Sequence, residues 1–209
     1  MTATARRTQA DRRARSRAAL LEATARGLSR HGYHNLSLEQ VAREAGYTRG
    51  ALYHQFAGKE ELALAVVDWV EQTWWAEMGR HLDADAEPLA ALLGIARAHA
   101  VFCRRDIARV RLVLSVEFSG VDHPVGAAVD AAVARVVDAG AALITAGREL
   151  GTIAPGPPAR VVALAAIGAV EGLVVNLAGH APFDEILAES AVRGIVAPPT
   201  GSGEAAPRR

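Results

Sequence analysis

Residues 37–56 constrain the fold more tightly than any other stretch. Ser37-Leu38-Glu39-Gln40 fits a capping box, in which the Ser hydroxyl accepts from a backbone N–H three residues on and the Gln side chain reaches back. Leu38, Val41 and Ala42 supply one apolar face, and Gly46 stops a helix only about eight residues long. Thr48 can cap the next helix, 48–55, with Leu52 and Phe56 inward, before Ala57-Gly58 breaks it. Two short helices joined by Ala45-Gly46-Tyr47, with a basic helix before them, have the layout of a helix-turn-helix.

The rest of the chain is helical by the same signals. Leu20, Leu21, Ala25 and Leu28 predict a first helix over 11–31, ended by Gly32 in the left-handed C′ conformation. Leu62, Val66, Val70, Trp74 and Met78 recur at i+4 steps from Lys59 to about His81. After the acidic linker Asp83 to Glu87, further helices are predicted at 88–104, 106–118, from Pro124 to about Leu150, 159–179 and 183–196. No alternating strand run or two-residue hairpin signal interrupts them. The expectation is an all-α fold of about nine helices. Its parts are a disordered basic arm (1–10), a three-helix helix-turn-helix domain (11–58), a helical bundle (59–196) and a disordered tail (197–209).

Formal net charge is zero, yet residues 1–60 carry 11 basic against 5 acidic side chains and residues 61–209 carry 12 against 18. A basic first third points to a polyanionic partner for that part alone, a solvated charged helix being the alternative. Of the 23 basic residues 22 are Arg; Lys59 is the exception. The single Cys103 excludes a disulfide framework and a Cys-built zinc site. The run Val161 to Val170 is about half a bilayer span before Glu171 interrupts it, and no apolar segment follows the charged N-terminus as in a secretory signal. A soluble, cytoplasmic protein without membrane or cofactor is expected.

With Leu52 and Phe56 inward, Thr48, Arg49 and Tyr53 share the outward face of the second short helix. Arg49 suits bidentate reading of guanine, a solvated helix charge being the alternative. Tyr53 and His54 suit phosphate oxygens, against a half-buried aromatic and a merely exposed His. Gly50 costs about 1 kcal/mol of helix stability against Ala, intelligible if the backbone approaches DNA there or packs tightly against helix one. Lys59 stands where a helix N-terminus prefers an acidic side chain, a mild penalty that a DNA phosphate would relieve.

These residues, from Ser37 through Phe56 and on to Lys59-Glu60-Glu61-Leu62, resemble the DNA-binding region of the TetR family of bacterial transcriptional regulators over about 13–65. The resemblance implies an Ω-shaped homodimer with three N-terminal helices for DNA and about six for ligand binding and dimerisation. It implies that Ser37 and Thr48 hold phosphates or cap, that Tyr47 and Arg49 lie at the groove, and that Tyr53, His54 and Lys59 clamp the backbone. Tyr47 stands where such proteins often have a smaller apolar residue.

In the larger part, helix 159–179 is apolar on nearly every face and demands burial. Ala165, Ala169 and Gly172, with Val175 beyond them, allow close approach in a two-fold interface with helix 183–196, an ordinary core helix being the alternative. A two-fold dimer predicts a palindromic double-stranded operator. Trp74, Met78, His99, Phe102 and Phe118, with Trp69, Trp75 and Cys103, are candidates to line an apolar pocket, although each taken singly is better explained as plain core. The resemblance implies that such a bundle holds a small-molecule inducer, whose identity the sequence leaves open. His31, His34, His99, Glu117 and His123 make no metal constellation, and no nucleophile elbow, Walker loop or dinucleotide fingerprint marks an enzyme. A ligand-responsive DNA-binding repressor is the expectation. The competing readings are an activator, a carrier or enzyme using the pocket without DNA, and a protein-binding adaptor.

Overall fold

The computed structural model describes residues 8–82 and 86–196. The expected tail 197–209, most of the expected arm 1–10 and Asp83 to Asp85 of the acidic linker lie outside the described residues. Within them the chain forms nine α-helices and no strand: α1 Gln9–His31, α2 Leu38–Glu44, α3 Arg49–Tyr53, α4 Lys59–Met78, α5 Pro88–Phe102, α6 Arg109–Glu117, α7 Pro124–Glu149, α8 Ala159–Leu177 and α9 Phe183–Val196.

The differences from expectation lie at helix ends. α1 begins at Gln9, inside the expected arm, because Thr8 and Asp11 form a reciprocal capping box. The Ser37 box is only half made. Ser37 accepts from the Gln40 N–H, but the Gln40 side chain donates to Glu44 at 3.2 Å instead of reaching back. Gly32 does end α1 at positive φ, but with φ 72° and ψ 179° it is extended rather than left-handed helical, a region essentially reserved for glycine. α4 stops at Met78 and tightens into a 3-10 turn over 79–81, and a similar turn at 106–108 precedes α6.

The helices pack as two units. Among the described residues, one comprises 8–73 with 105–131 and the other 74–82, 86–104 and 132–196. In the first, α1 packs on α2, α6 and the 106–108 turn, and α2 packs on α3. Leu20, Leu28, Leu52, Phe56, Leu62 and Val66 are fully buried, each such side chain stabilising by about 2 kcal/mol. The Glu117 carboxylate, at the end of α6, accepts from the backbone N–H groups of Tyr33 (2.5 Å) and His34 (2.7 Å) and pairs with the His34 ring. Burial pushes this carboxyl up, but those bonds outweigh it and hold it below the usual glutamate range. The positive φ at Gly32 favours glycine, and a Cβ there would lie 2.7 Å from a Glu117 oxygen, so a side chain would also have to displace the carboxylate.

In the second unit α9 packs on both α5 and α8, around Leu92, Leu93, Ala96, Val137, Ile144, Val170 and Val192. One ion pair pins α9 beside this core. Asp184, fully buried, takes both arms of Arg104 at 2.8 and 3.0 Å and also accepts from the Gly179 N–H. The Arg104 guanidinium holds the Asp184 carboxyl down at about 2, against an ordinary value of 3.8.

Because the folded value lies below the unfolded one, this pair stabilises fully above about pH 4, and the contribution is lost as pH falls towards 2. Asp184→Asn is expected to lower stability by about 2 kcal/mol at neutral pH. Denaturant melts should show its deficit against the parent shrinking between pH 5 and pH 2.

Candidate nucleic-acid interface

The turn between α2 and α3 is a Schellman motif. Gly46, at φ 77°, occupies the left-handed C′ position; its N–H reaches the Arg43 carbonyl and the Tyr47 N–H the Ala42 carbonyl. This re-aims the chain within two residues. Thr48 then caps α3, its hydroxyl accepting from the Ala51 N–H at 3.2 Å.

Leu52 and Phe56 are buried, as their spacing predicts, so the rest of α3 faces outward. Arg49 and Tyr53 meet on that face. The guanidinium donates to the Tyr53 hydroxyl at 3.4 Å and lies 5.4 Å from the ring centroid, while Tyr53 stays 43% exposed. The pairing aligns an Arg fork and a phenol along one edge, both with donors to spare. Gly50 is exposed, and a Cβ there would meet only the Thr48 hydroxyl, at 3.8 Å. Tight packing against α1 therefore does not explain this glycine.

Ser37, Tyr47 and His54 are exposed, but His54 does not sit with Tyr53. It lines a groove with Tyr47 and the arginines of the first turns of α1. Gln55, absent from the expected set, donates to Ser16 at 2.8 Å and so ties α1 to the end of α3. Lys59 has partners of its own within the chain. Glu60 and Glu61 supply the acid that the α4 N-terminus prefers, Glu61 accepting from the Ala57 N–H. The Lys59 ammonium turns away to donate to the His34 carbonyl at 2.8 Å and lies over the Tyr33 ring at 4.8 Å.

The candidate pocket residues separate. Trp74, Met78, His99 and Phe102 belong to the second unit, with Met78 and Phe102 buried as core. Phe118 belongs to the first, where it stacks on His123 and packs edge-on to Tyr33. Trp74 donates its indole N–H to His99 Nδ1 at 2.9 Å, which fixes the imidazole with Nε2 as its donor. That Nε2 lies 3.1 Å from a Glu171 carboxylate oxygen and 3.3 Å from Cys103 Sγ. Glu171 was missed as a site residue; its signal was an acid inside an apolar run, which has to find a partner when its helix packs.

α8 is buried on one side only. Val162, Ala163, Ala166, Val170 and Val174 face the core. Ala165 and Gly172 are exposed, Ala169 half-buried and Val175 53% exposed, alongside Val161 and Leu164. Phe183, Ile186 and Leu187 of α9 add exposed apolar surface. By length and composition α8 could cross a membrane, although Glu171 lies within it.

The family model described as bacterial regulatory proteins, tetR family, matches residues 20–66. The chain is 32% identical over 139 residues to the A-factor receptor protein of Streptomyces griseus, covering 65% of this chain but only 45% of that protein. It is 29% identical over 155 residues to the transcriptional regulator RutR of Escherichia coli, covering 69% and 67%. Its fold superposes on AibR in complex with isovaleryl coenzyme A and operator DNA with a TM-score of 0.73 at 22% identity, over 88% of this chain and all of that one. FadR of Bacillus subtilis in complex with stearoyl-CoA gives 0.72 at 16% identity, over 86% and 97%.

If Gly50 serves close approach rather than packing, Gly50→Ala should melt at the same or higher temperature, gaining up to about 1 kcal/mol. It should nonetheless bind duplex DNA more weakly. A destabilised variant would return the glycine to a packing role.

Proposed function

We propose that this chain, which belongs to the TetR family of bacterial regulatory proteins, is a ligand-responsive transcriptional repressor that binds a palindromic operator as a homodimer and is released by a small-molecule inducer. The observation that carries this reading is the outward edge of α3, where Thr48, Arg49 and Tyr53 stand exposed on a helix anchored by Leu52 and Phe56. Residues 11–58 are the DNA-binding part, and 59–196 the ligand-binding and dimerisation part.

Arg49 reads base edges, Gly50 lets the backbone approach, and Ser37, Tyr47, Thr48, Tyr53 and His54 bond phosphates around them. Lys59 has donors beyond the one given to His34 and adds a backbone contact. In the larger part, the exposed apolar face of Ala165, Ala169, Gly172 and Val175, with Phe183 and Ile186 of α9, supports a two-fold interface, since an uncovered patch of this kind marks an interaction surface. Trp74, His99 and Glu171 are the polar groups that orient a ligand among the apolar side chains of the bundle. The solved complexes of AibR and FadR make acyl-coenzyme A thioesters the first class to screen. A ligand acts only through its preference for the conformation that does not bind DNA, and DNA weakens its binding by the same factor. Relatives with regulatory names favour a cytoplasmic regulator over an enzyme.

Fluorescence anisotropy with a duplex from upstream of the chain's own gene, against a scrambled duplex, tests the reading. Preferential, salt-sensitive binding is expected. Arg49→Ala should cost the preferred duplex about 1–3 kcal/mol and narrow the preference, and Lys59→Ala should reduce the salt slope by about 1. No salt-sensitive binding to either duplex or to a random-sequence pool would sink the regulator assignment.

The interface has its own test. Val175→Arg combined with Phe183→Glu should sediment as a monomer where the parent sediments as a dimer, and lose DNA affinity by about a hundredfold as half-sites bind singly. A dimeric double variant would place the interface elsewhere.

A further inference from the structure

The entry to the helix-turn-helix is held by an acid. Glu117, the last residue of α6, lies 84 residues beyond Tyr33 in sequence, yet its carboxylate accepts the Tyr33 backbone N–H at 2.5 Å and the His34 N–H at 2.7 Å. One of its oxygens also pairs with the His34 ring. The side chain is only 18% exposed. Taking a carboxylate out of water costs free energy that its bonds must offset, and here they do, since the group is held below the usual glutamate range. Hydrogen bonds to an ionised acceptor are roughly twice as strong as neutral ones.

Both donors belong to the turn 32–37 between α1 and α2. α2 packs on α1 before it and on α3 after it, and α3 carries Arg49 and Tyr53. Leu36, Val41 and Ala42 are buried and fix how deep α2 sits. Apolar burial is non-directional. The two N–H bonds supply direction, at the point where the chain enters α2. The chain also leaves room for the acid: Gly32 has no side chain where a Cβ would lie 2.7 Å from a Glu117 oxygen.

We propose that Glu117 is a positioning residue for DNA binding, whose carboxylate, through the peptide N–H groups of Tyr33 and His34, holds α2 and α3 at the angle at which Arg49 meets base edges, without itself touching DNA. This rests on the regulator reading above. It adds a residue of α6, outside the DNA-binding part 11–58, to what sets affinity.

Glu117→Gln separates positioning from charge by the sign of its effect. The substitution removes a negative charge, so by charge alone the variant binds DNA more tightly. Positioning predicts weaker binding. The measurement is fluorescence anisotropy of the full chain with the upstream and scrambled duplexes, at a temperature where circular dichroism shows parent and variants folded. Glu117→Gln should bind the upstream duplex about tenfold more weakly, the order of one charge-assisted hydrogen bond. The scrambled duplex, held by phosphates alone, should change less, so the preference narrows. The slope of log affinity against log salt should stay parental, because no phosphate contact is lost. Glu22→Gln, which removes an exposed carboxylate of α1, is the charge control and should bind at least as tightly as the parent.

Two further readouts bear on the same contact. In the free parent the Tyr33 and His34 amide protons should exchange slowly with solvent, and this protection should fall in Glu117→Gln. Gly32→Ala crowds the carboxylate without removing it. It should also weaken binding to the upstream duplex, and combined with Glu117→Gln it should add less than its own effect.

Parental or tighter binding by folded Glu117→Gln overturns the proposal and leaves Glu117 a bond of the fold alone, with the regulator reading standing. A lowered salt slope overturns it in favour of a lost phosphate contact. Full additivity of the Gly32 and Glu117 substitutions overturns it as well. A parent that binds neither duplex with salt sensitivity defeats both readings, and that failure is visible before any variant is made.

Discussion

Seven residues of α2 and five of α3 fall well short of the roughly 12–15 at which a helix begins to hold itself in water. Their existence depends on apolar side chains docked beneath them: Val41 and Ala42 under α2, Leu52 and Phe56 under α3. The outward groups of α3 are thus placed by what happens on its inner side. Arg49 points where it does because Leu52, three residues on, has nowhere else to go. The glycine turn adds direction without mass, and the Thr48 cap removes an N–H that would otherwise compete for whatever α3 meets.

The second unit solves a different problem, that of polar groups inside an apolar bundle. Asp184 and Arg104 satisfy one another with two parallel bonds, and the spare lone pairs take backbone N–H groups, so little is left unpaired. His99, Trp74 and Glu171 form a chain of the same kind with its direction fixed by the indole N–H. Such fully bonded groups cost little where they are and specify one packing among the many that Ala, Val and Leu alone would permit. The outer side of α8 and α9 instead exposes large apolar side chains, among them Val161, Leu164, Val175, Phe183, Ile186 and Leu187.

Periodicity made the helices legible, because the spacing of Leu, Val and Ala along the chain reports burial directly. Gly46, Thr48, Leu52 and Phe56 were readable for the same reason: each acts on neighbours within four residues. What could not be read acts across long separations or depends on competition between local partners. Glu117 reaches Tyr33 and His34 across more than 80 residues, and no pattern marks that pairing. Gln40 had two partners within reach and took Glu44. Lys59 was read against the helix end it belongs to, yet a carbonyl 25 residues earlier holds it. Phe118 looked like a bundle aromatic because nothing in its spacing says which unit α6 ends in. The arginines of α1 were legible as charge but not as one wall of a groove, since the other wall is set by the turn at Gly46.

His34 lies at the meeting point of two of these long contacts. Its N–H and ring go to Glu117, and its carbonyl goes to Lys59. One residue is thus gripped through its donor side by the end of α6 and through its acceptor side by the start of α4. A displacement of the α6 end must either stretch the carboxylate bonds or carry the peptide with it and re-aim the ammonium. In mechanical terms the turn before α2 is a linkage with two pins and no slack, and the chain has put its only lysine on one of them.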